Sequence, residues 1–178
     1  DGTRAQLVVR EGHVAIWSRG EDAIAERFPE IAAAAHALPD GTVLDGELLA
    51  FRDGTPLPFA ALQQRIGRLR HVQRKARDVP VVFMAYDLLE HESADVRALP
   101  LIERRARLDT LVAQLPAAAP GPATSDGRLP FDDDVPASAP GAGDAPLQTS
   151  PRIGGTWAEL AALRESSRTR GVEGLMIK

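Results

Sequence analysis

The sequence predicts an α+β fold, because its strands and helices do not alternate in the regular manner of a parallel, doubly wound sheet. Two apolar-rich, β-branched stretches, residues 3–10 and 13–19, are joined at Glu11-Gly12 in the pattern of a hairpin. The run 80–89 is almost continuously apolar and suits a strand buried on both faces. A hydrophobic content of 44% in 178 residues is enough for one well-buried core, so we expect one globular domain.

The segment after the hairpin is predicted to be helical. Between residues 22 and 38, Ile24, Phe28 and Ile31 fall at helical spacing, and Pro29 interrupts the pattern. We therefore expect one or two short helices.

The middle of the chain predicts a further strand and two more helices. Residues 42–51 read as a strand interrupted by an acidic Asp-Gly-Glu, and Asp53-Gly54 then marks a turn. Helical spacing resumes at Phe59, and residues 101–115 form an amphipathic pattern.

The composition changes abruptly at residue 116. Residues 116–151 hold eight of the 14 prolines, with many Ala, Gly and Asp, a mixture that cannot bury enough surface to offset its ordering entropy. We expect a disordered insertion there. A last amphipathic helix, residues 157–168 with Thr156 as its cap, and a strand at residues 172–178 follow.

Composition excludes several function classes. Cysteine is absent, which removes disulfides and thiolate chemistry, and no apolar run is long enough to span a bilayer. The chain therefore reads as soluble, and a cytoplasmic location fits. A net charge of −4 argues against a free-standing nucleic-acid binder. The four histidines are scattered without ligand spacing, and we assign them no metal.

Four short segments carry the chemistry: Asp1-Gly2-Thr3-Arg4, Leu44-Asp45-Gly46-Glu47, Met84-Ala85-Tyr86-Asp87 and Val172–Lys178. Each places a charged group beside a glycine or on an apolar strand. The strand holds the side chain rigidly, and we expect the glycine to let a ligand approach the backbone. Glutamates on different strands could converge on Mg²⁺ bound to a polyphosphate.

At these residues a family resemblance becomes specific. DGTR resembles the end of the first motif of covalent nucleotidyltransferases, Lys-x-Asp-Gly-x-Arg, and SRGED, LDGELLAF, FMAYDLL and VEGLMIK resemble the motifs that follow it. Their order and spacing are similar to those of ATP-dependent DNA ligases, and PFAALQQRIGR resembles the segment after the third motif in bacterial and archaeal members. Under this resemblance residues 1–178 are a partial adenylation domain, interrupted by the insertion at 116–151.

The resemblance implies a fold and a reaction. The fold is α+β, with two antiparallel β-sheets and flanking helices around a nucleotide groove. The reaction seals nicked double-stranded DNA with ATP and Mg²⁺, through a lysine-AMP and a DNA-adenylate intermediate. The nucleophilic lysine would precede Asp1 by two positions, so we expect the isolated chain to be inactive. An oligonucleotide-binding domain of the same protein would complete the enzyme.

The resemblance also assigns individual residues. Nucleotide-binding roles fall to Arg4 at the ribose, Glu47 at the sugar or a metal-bound water, Tyr86 stacked on adenine, Arg19 and Lys178. Arg19 would contact phosphate, of the nucleotide or of the nick. Glu173 would be the main metal ligand, with Glu47 as the second.

Several alternatives stay open at this point. The parent protein could instead be an RNA ligase or a capping guanylyltransferase, or a non-catalytic remnant that binds nucleotide or DNA. Tyr86 could be core packing, and Arg19 an ordinary cation at a strand end. One basic run could face DNA phosphates or solvent: Arg65, Arg68, Arg70, Arg74, Lys75 and Arg77.

Overall fold

A computed structural model of the chain describes residues 2–67, 70–116, 144–167, 169 and 175. The strands are β1 (Thr3–Arg10), β2 (His13–Ser18), β3 (Thr42–Arg52), β4 (Thr55–Pro56), β5 (Val81–His91), β6 (Ala94–Asp95) and β7 (Leu147–Thr149). The helices are α1 (Pro29–Ala35), α2 (Phe59–Ile66), α3 (Val72–Asp78), α4 (Leu101–Ala113) and α5 (Trp157–Glu165), and a 3₁₀ turn at Ala25–Arg27 precedes α1.

The strands form one largely antiparallel sheet in the order β2-β1-β3-β5-β6. The β1–β2 hairpin turns at Glu11 and Gly12, whose φ angles of 51° and 73° are left-handed. β4 adds a two-residue ribbon to β3. The fold is α+β with an antiparallel sheet, as the sequence predicts. The second sheet of the expected groove is not formed by the residues that the structure describes.

β7 differs from the sequence expectation. It lies inside the range 116–151 that was expected to be disordered, yet it pairs with β5 in parallel, and Leu147 is buried in the core. The short strand is held from both sides, because Arg105 of α4 donates to Ser150 Oγ at 2.8 Å and Gly54 N–H donates to the Asp144 carboxylate. Residues 117–143 of the expected insertion lie outside the described residues.

The core lies on one face of the sheet. Alternate residues of β1, β2, β3 and β5 point toward this face, and α1, α2 and α4 cover it. Completely buried side chains there include Leu7, Ile16, Leu44, Leu48 and Phe83. The side chains between them, at odd positions of β3 and even positions of β1, therefore point to the opposite face.

Arg65 corrects the interpretation of the basic run. Its guanidinium is buried beneath α2, where it donates to the carbonyls of Val79 (2.8 Å) and Arg27 (2.7 Å) and pairs with Glu30 at 2.8 Å. It also lies over the Phe28 ring, 5.2 Å from the ring centre. Arg65 thus faces neither DNA nor solvent, and it ties α2 to the segment around α1.

The other cations of the run are placed differently. Arg70, Arg74 and Arg77 are exposed on or beside α3, and Lys75 pairs with Asp78 at 3.8 Å. Arg68 lies outside the described residues.

Candidate nucleotide groove

A buried carboxylate joins two of the predicted site residues on the face of the sheet opposite the core. Arg4 donates to Asp45 from Nε at 3.3 Å and from Nη2 at 2.7 Å, in a forked pair. The Tyr86 hydroxyl donates to the same carboxylate at 3.2 Å. Asp45 is only 5% exposed, whereas 62% of the Arg4 side chain is exposed. The Arg4 guanidinium is therefore held in place by a buried carboxylate, while its exposed side remains open to a ligand.

Strand register explains why residues far apart in the chain meet here. Arg4 of β1 is the direct cross-strand partner of Glu47 in β3, and Glu47 is the partner of Met84 in β5. Asp45 and Glu47 are two positions apart on β3 and so share a face. A register shift between β3 and β5 lets Tyr86 reach Asp45 from the next strand.

The network changes the proton affinities of its members. Burial, followed by the negative charge of Asp45, raises the pKa of Tyr86 to about 12. The hydrogen bond to Asp45 raises the pKa of Arg4 above its ordinary value. At neutral pH Tyr86 is thus a neutral donor and Arg4 a permanent cation. Both side chains therefore donate hydrogen bonds to Asp45 across the physiological pH range.

Two of the motif glycines, Gly2 and Gly46, serve packing in this structure, which corrects for them the expectation that they open the backbone to a ligand. A Cβ on Gly46 would lie 2.6 Å from the Phe83 ring, on the core side of the sheet. A Cβ on Gly2 would lie 2.4 Å from the Leu48 carbonyl oxygen. Both glycines allow close contact between neighbouring strands, and at Gly46 this contact sets the position of Asp45 and Glu47.

Arg19 lies at the end of β2, beside the network. Its backbone N–H donates to the Arg4 carbonyl at 3.2 Å, which fixes the end of the hairpin next to Arg4. A cavity of about 590 Å³ opens at this place. Its lining includes Arg4, Trp17, Arg19 and Asp45. The lining therefore holds two guanidinium groups, of the type that binds phosphate, together with the carboxylates of Asp45 and Glu21.

The described residues fit a metal ion only in part. Glu47 is a half-buried carboxylate on the same face of the sheet as Asp45 but outside the lining of the cavity, and within the described ranges no ion pair to it is formed. Carboxylate oxygen is the donor type that Mg²⁺ prefers. Asp45 is already engaged by Arg4 and Tyr86. No cluster of three or more metal-binding side chains occurs among residues 2–67, 70–116 and 144–167. The other predicted ligand, Glu173, and the phosphate contact Lys178 lie outside the described residues.

Asp45 is the residue that sequence reasoning missed. It stood in the Asp-Gly-Glu motif, but only Glu47 was given a role. The available signal was period-two alternation, because a residue two positions before Glu47 on the same strand must point to the same face. Its function as the shared acceptor for Arg4 and Tyr86 could not be read from β3 alone, since it depends on the pairing of β1 and β5 with β3.

With this geometry established, comparison with known proteins gives the family. The model for the ATP dependent DNA ligase domain matches residues 1–178, the whole chain. The chain belongs to this family.

Among curated relatives of this DNA ligase domain, a probable DNA ligase of Opitutus terrae is 39% identical over 100% of the chain and 18% of the relative. A probable DNA ligase of Koribacter versatilis is 35% identical over 100% of the chain and 30% of its own length. A DNA ligase of Haloferax volcanii is 31% identical over 100% of the chain and 26% of its own length.

Solved structures share the fold of this ligase domain. The mycobacterial DNA ligase D complexed with ATP and MES matches with a TM-score of 0.56 over 98% of this chain and 44% of that one, at 23% identity. The ligase domain of LigD from M. tuberculosis matches with a TM-score of 0.50 over 65% of this chain and 35% of that one, at 26% identity. The chain spans 18–30% of the length of the first two relatives. In the described part of the chain, no helix combines the length and apolar character needed to cross a bilayer.

Proposed function

We propose that this domain forms part of the ATP-binding groove of a DNA ligase that seals nicks in double-stranded DNA through lysine-AMP and DNA-adenylate intermediates. The observation that carries the proposal is the convergence of Arg4, Asp45, Glu47 and Tyr86 on one face of a single sheet. These residues lie on three different strands. Because the side chains share one position, they support a binding surface. The alternative, that each side chain only stabilises its own strand, does not explain why they lie together.

The chemistry of the proposed reaction fits the side chains present. In the first step a lysine amine forms a bond to the α-phosphorus of ATP and pyrophosphate leaves. AMP then passes to the 5′-phosphate of the nick, and the 3′-hydroxyl finally displaces AMP as the phosphodiester forms. Each step develops charge on phosphoryl oxygens, and fixed cations stabilise such charge best when they need no reorganisation. Arg19 beside the cavity would supply such a cation, while the forked pair with Asp45 holds Arg4 in place for the ribose.

Roles for the groove residues follow from their positions. Tyr86 offers a ring on the groove face for adenine, a type of stacking contact worth about 1–3 kcal/mol. Arg4 and Glu47, as direct cross-strand partners, would hold the ribose between a donor and an acceptor. Arg19 would contact phosphate of the nucleotide or of the nick. Mg²⁺, when bound at Glu47 and Glu173, would supply charge neutralisation at the phosphates.

The test uses the full-length protein that contains this domain. A nicked duplex is offered with ATP, GTP or NAD separately, and both the protein-AMP adduct and the sealed product are measured. We expect adduct and product with ATP, and strong loss of both in Glu47→Ala. Glu90→Ala is the matched control, because Glu90 also lies on the sheet but pairs with Arg10 on an exposed part of the surface. Turnover with NAD alone, or full activity in Glu47→Ala, would contradict the proposal.

A further inference from the structure

We propose that Trp17 is a second aromatic contact of the groove, one that packs against the terminal nucleoside of the DNA strand carrying the 5′-phosphate. The inference rests on the proposed function and adds a DNA-side contact to it. Among the motif residues considered above, Arg19 is proposed to reach a phosphate of the nick, and none is proposed to pack against a nucleoside of the DNA. It follows from where β2 places this side chain.

The strand orients Trp17 into the cavity. Ile16 is fully buried on the core face, so its neighbour Trp17 points to the opposite face. In the sheet, Trp17 is the cross-strand partner of Gln6, and Gln6 is the partner of Asp45. Trp17 thus lies in the same cross-strand row as the carboxylate that holds Arg4. It lines the 590 Å³ cavity together with Arg4 and Arg19.

Packing within the domain does not account for this tryptophan. The residue is 44% exposed and is not part of the buried core cluster. An indole left half in water forgoes much of the stabilisation that its burial would give. Tryptophan and arginine are the residue types most enriched at the energetic centres of binding surfaces. Trp17 and Arg19 stand two positions apart at the end of one hairpin, next to an open cavity.

The two aromatic residues are far enough apart to contact two different nucleosides of one substrate. Trp17 is on β2 and Tyr86 is on β5, with β1 and β3 between them. Three inter-strand steps of about 4.8 Å place the two strand positions roughly 14 Å apart. The guanidinium of Arg4 lies between them. In the DNA-adenylate of the proposed reaction two nucleosides are joined through a pyrophosphate, so the adenosine would lie toward Tyr86 and the DNA strand toward Trp17.

The experiment separates the ATP site from the DNA site in the full-length protein. Formation of the protein-AMP adduct is measured without DNA, and binding is measured with a nicked duplex bearing a 5′-phosphate. We expect Trp17→Ala to weaken binding of the nicked duplex about 10-fold or more, and to affect adduct formation several-fold less. Trp17→Phe should restore most of the lost binding, because it keeps an aromatic face. The control is Trp157→Ala, since Trp157 is 75% exposed on α5 and does not line the cavity.

Two results would overturn the inference. One is unchanged binding of the nicked duplex by Trp17→Ala. The other is an equal loss of adduct formation and duplex binding together with a lower melting temperature, because that pattern means that Trp17 is covered by another part of the protein. If the unmodified protein forms no AMP adduct with ATP, the proposed function itself fails. That outcome is recognised before any Trp17 variant is compared.

Discussion

Replacing Arg65 with leucine tests whether a buried cation holds α2 against the segment around α1. The substitution removes the donors to two backbone carbonyls, those of Val79 and Arg27, and leaves the Glu30 carboxylate without its cation. Removing one partner of a buried ion pair typically costs about 3–5 kcal/mol, because an uncompensated charge stays in the interior. For a domain of this size each kcal/mol corresponds to about 2–4 °C in melting temperature, so we expect a decrease of roughly 10 °C.

The pH dependence identifies the cause of that loss. Burial already raises the pKa of Glu30, and Arg65 opposes this rise. Without Arg65 the pKa of Glu30 rises further. A carboxyl whose folded pKa is raised favours the folded state at low pH, and this contribution is lost as pH rises through the folded pKa. The difference in unfolding free energy between Arg65→Leu and the original chain should therefore be smaller at pH 4 than at pH 7.

Urea unfolding at both pH values, followed by far-ultraviolet circular dichroism, measures these differences. Arg74→Leu is the matched control, because Arg74 is exposed on α3 and its loss should change stability by less than about 0.5 kcal/mol. Equal stability of the Arg65 and Arg74 variants at pH 7 would refute the assigned role of Arg65. A loss that is the same at pH 4 and pH 7 would show that Glu30 does not contribute to it.

Three further predictions concern the groove and α5. Tyr86 is the only tyrosine of the chain, so absorbance at alkaline pH should report its titration alone, with a midpoint near 12 that falls in Asp45→Asn; a midpoint near 10 in the folded chain would contradict the network. Gly46→Ala should destabilise the chain by about 1–3 kcal/mol, because the added methyl meets the Phe83 ring, and unchanged urea unfolding would contradict this packing. Thr156→Ala removes a capping box and should cost α5 about 1 kcal/mol. Since α5 has no buried residues, this loss should speed amide hydrogen exchange within α5 without shifting global unfolding, and equal shifts in both would show that α5 belongs to the core.

Local sequence patterns were sufficient to predict those elements whose structure depends mainly on their own residues. The hairpin of β1 and β2, the long strands β3 and β5, and helices α2 and α4 follow from residue periodicity and turn residues, and the structure confirms them. The Thr156 cap is also confirmed, because a capping box is formed within four consecutive residues. Family membership was accessible for a related reason. The motifs are short and ordered, so their sequence and spacing suffice to identify them.

Contacts between segments that are far apart in the chain could not be predicted from local sequence patterns. β7 has three residues in a proline-rich context, and its pairing with β5 is provided by a partner more than 50 positions earlier. Arg65 lies in a run of charged residues typical of a surface helix, and its burial depends on the carbonyls of Arg27, before α1, and of Val79, after α3. In both cases the free energy that stabilises the observed conformation comes from tertiary contacts, which do not exist until the fold has formed.

For the groove, the sequence by itself determined which residue types are present and which of them share a strand face. It thus specified Arg4, Glu47 and Tyr86 as candidates. Only the tertiary structure decided that Asp45 is the common acceptor for Arg4 and Tyr86 and that Trp17 lines the cavity next to Arg4. The physical reason is that alternation fixes the direction of a side chain relative to its own strand, whereas its neighbours are set by the register and order of the paired strands.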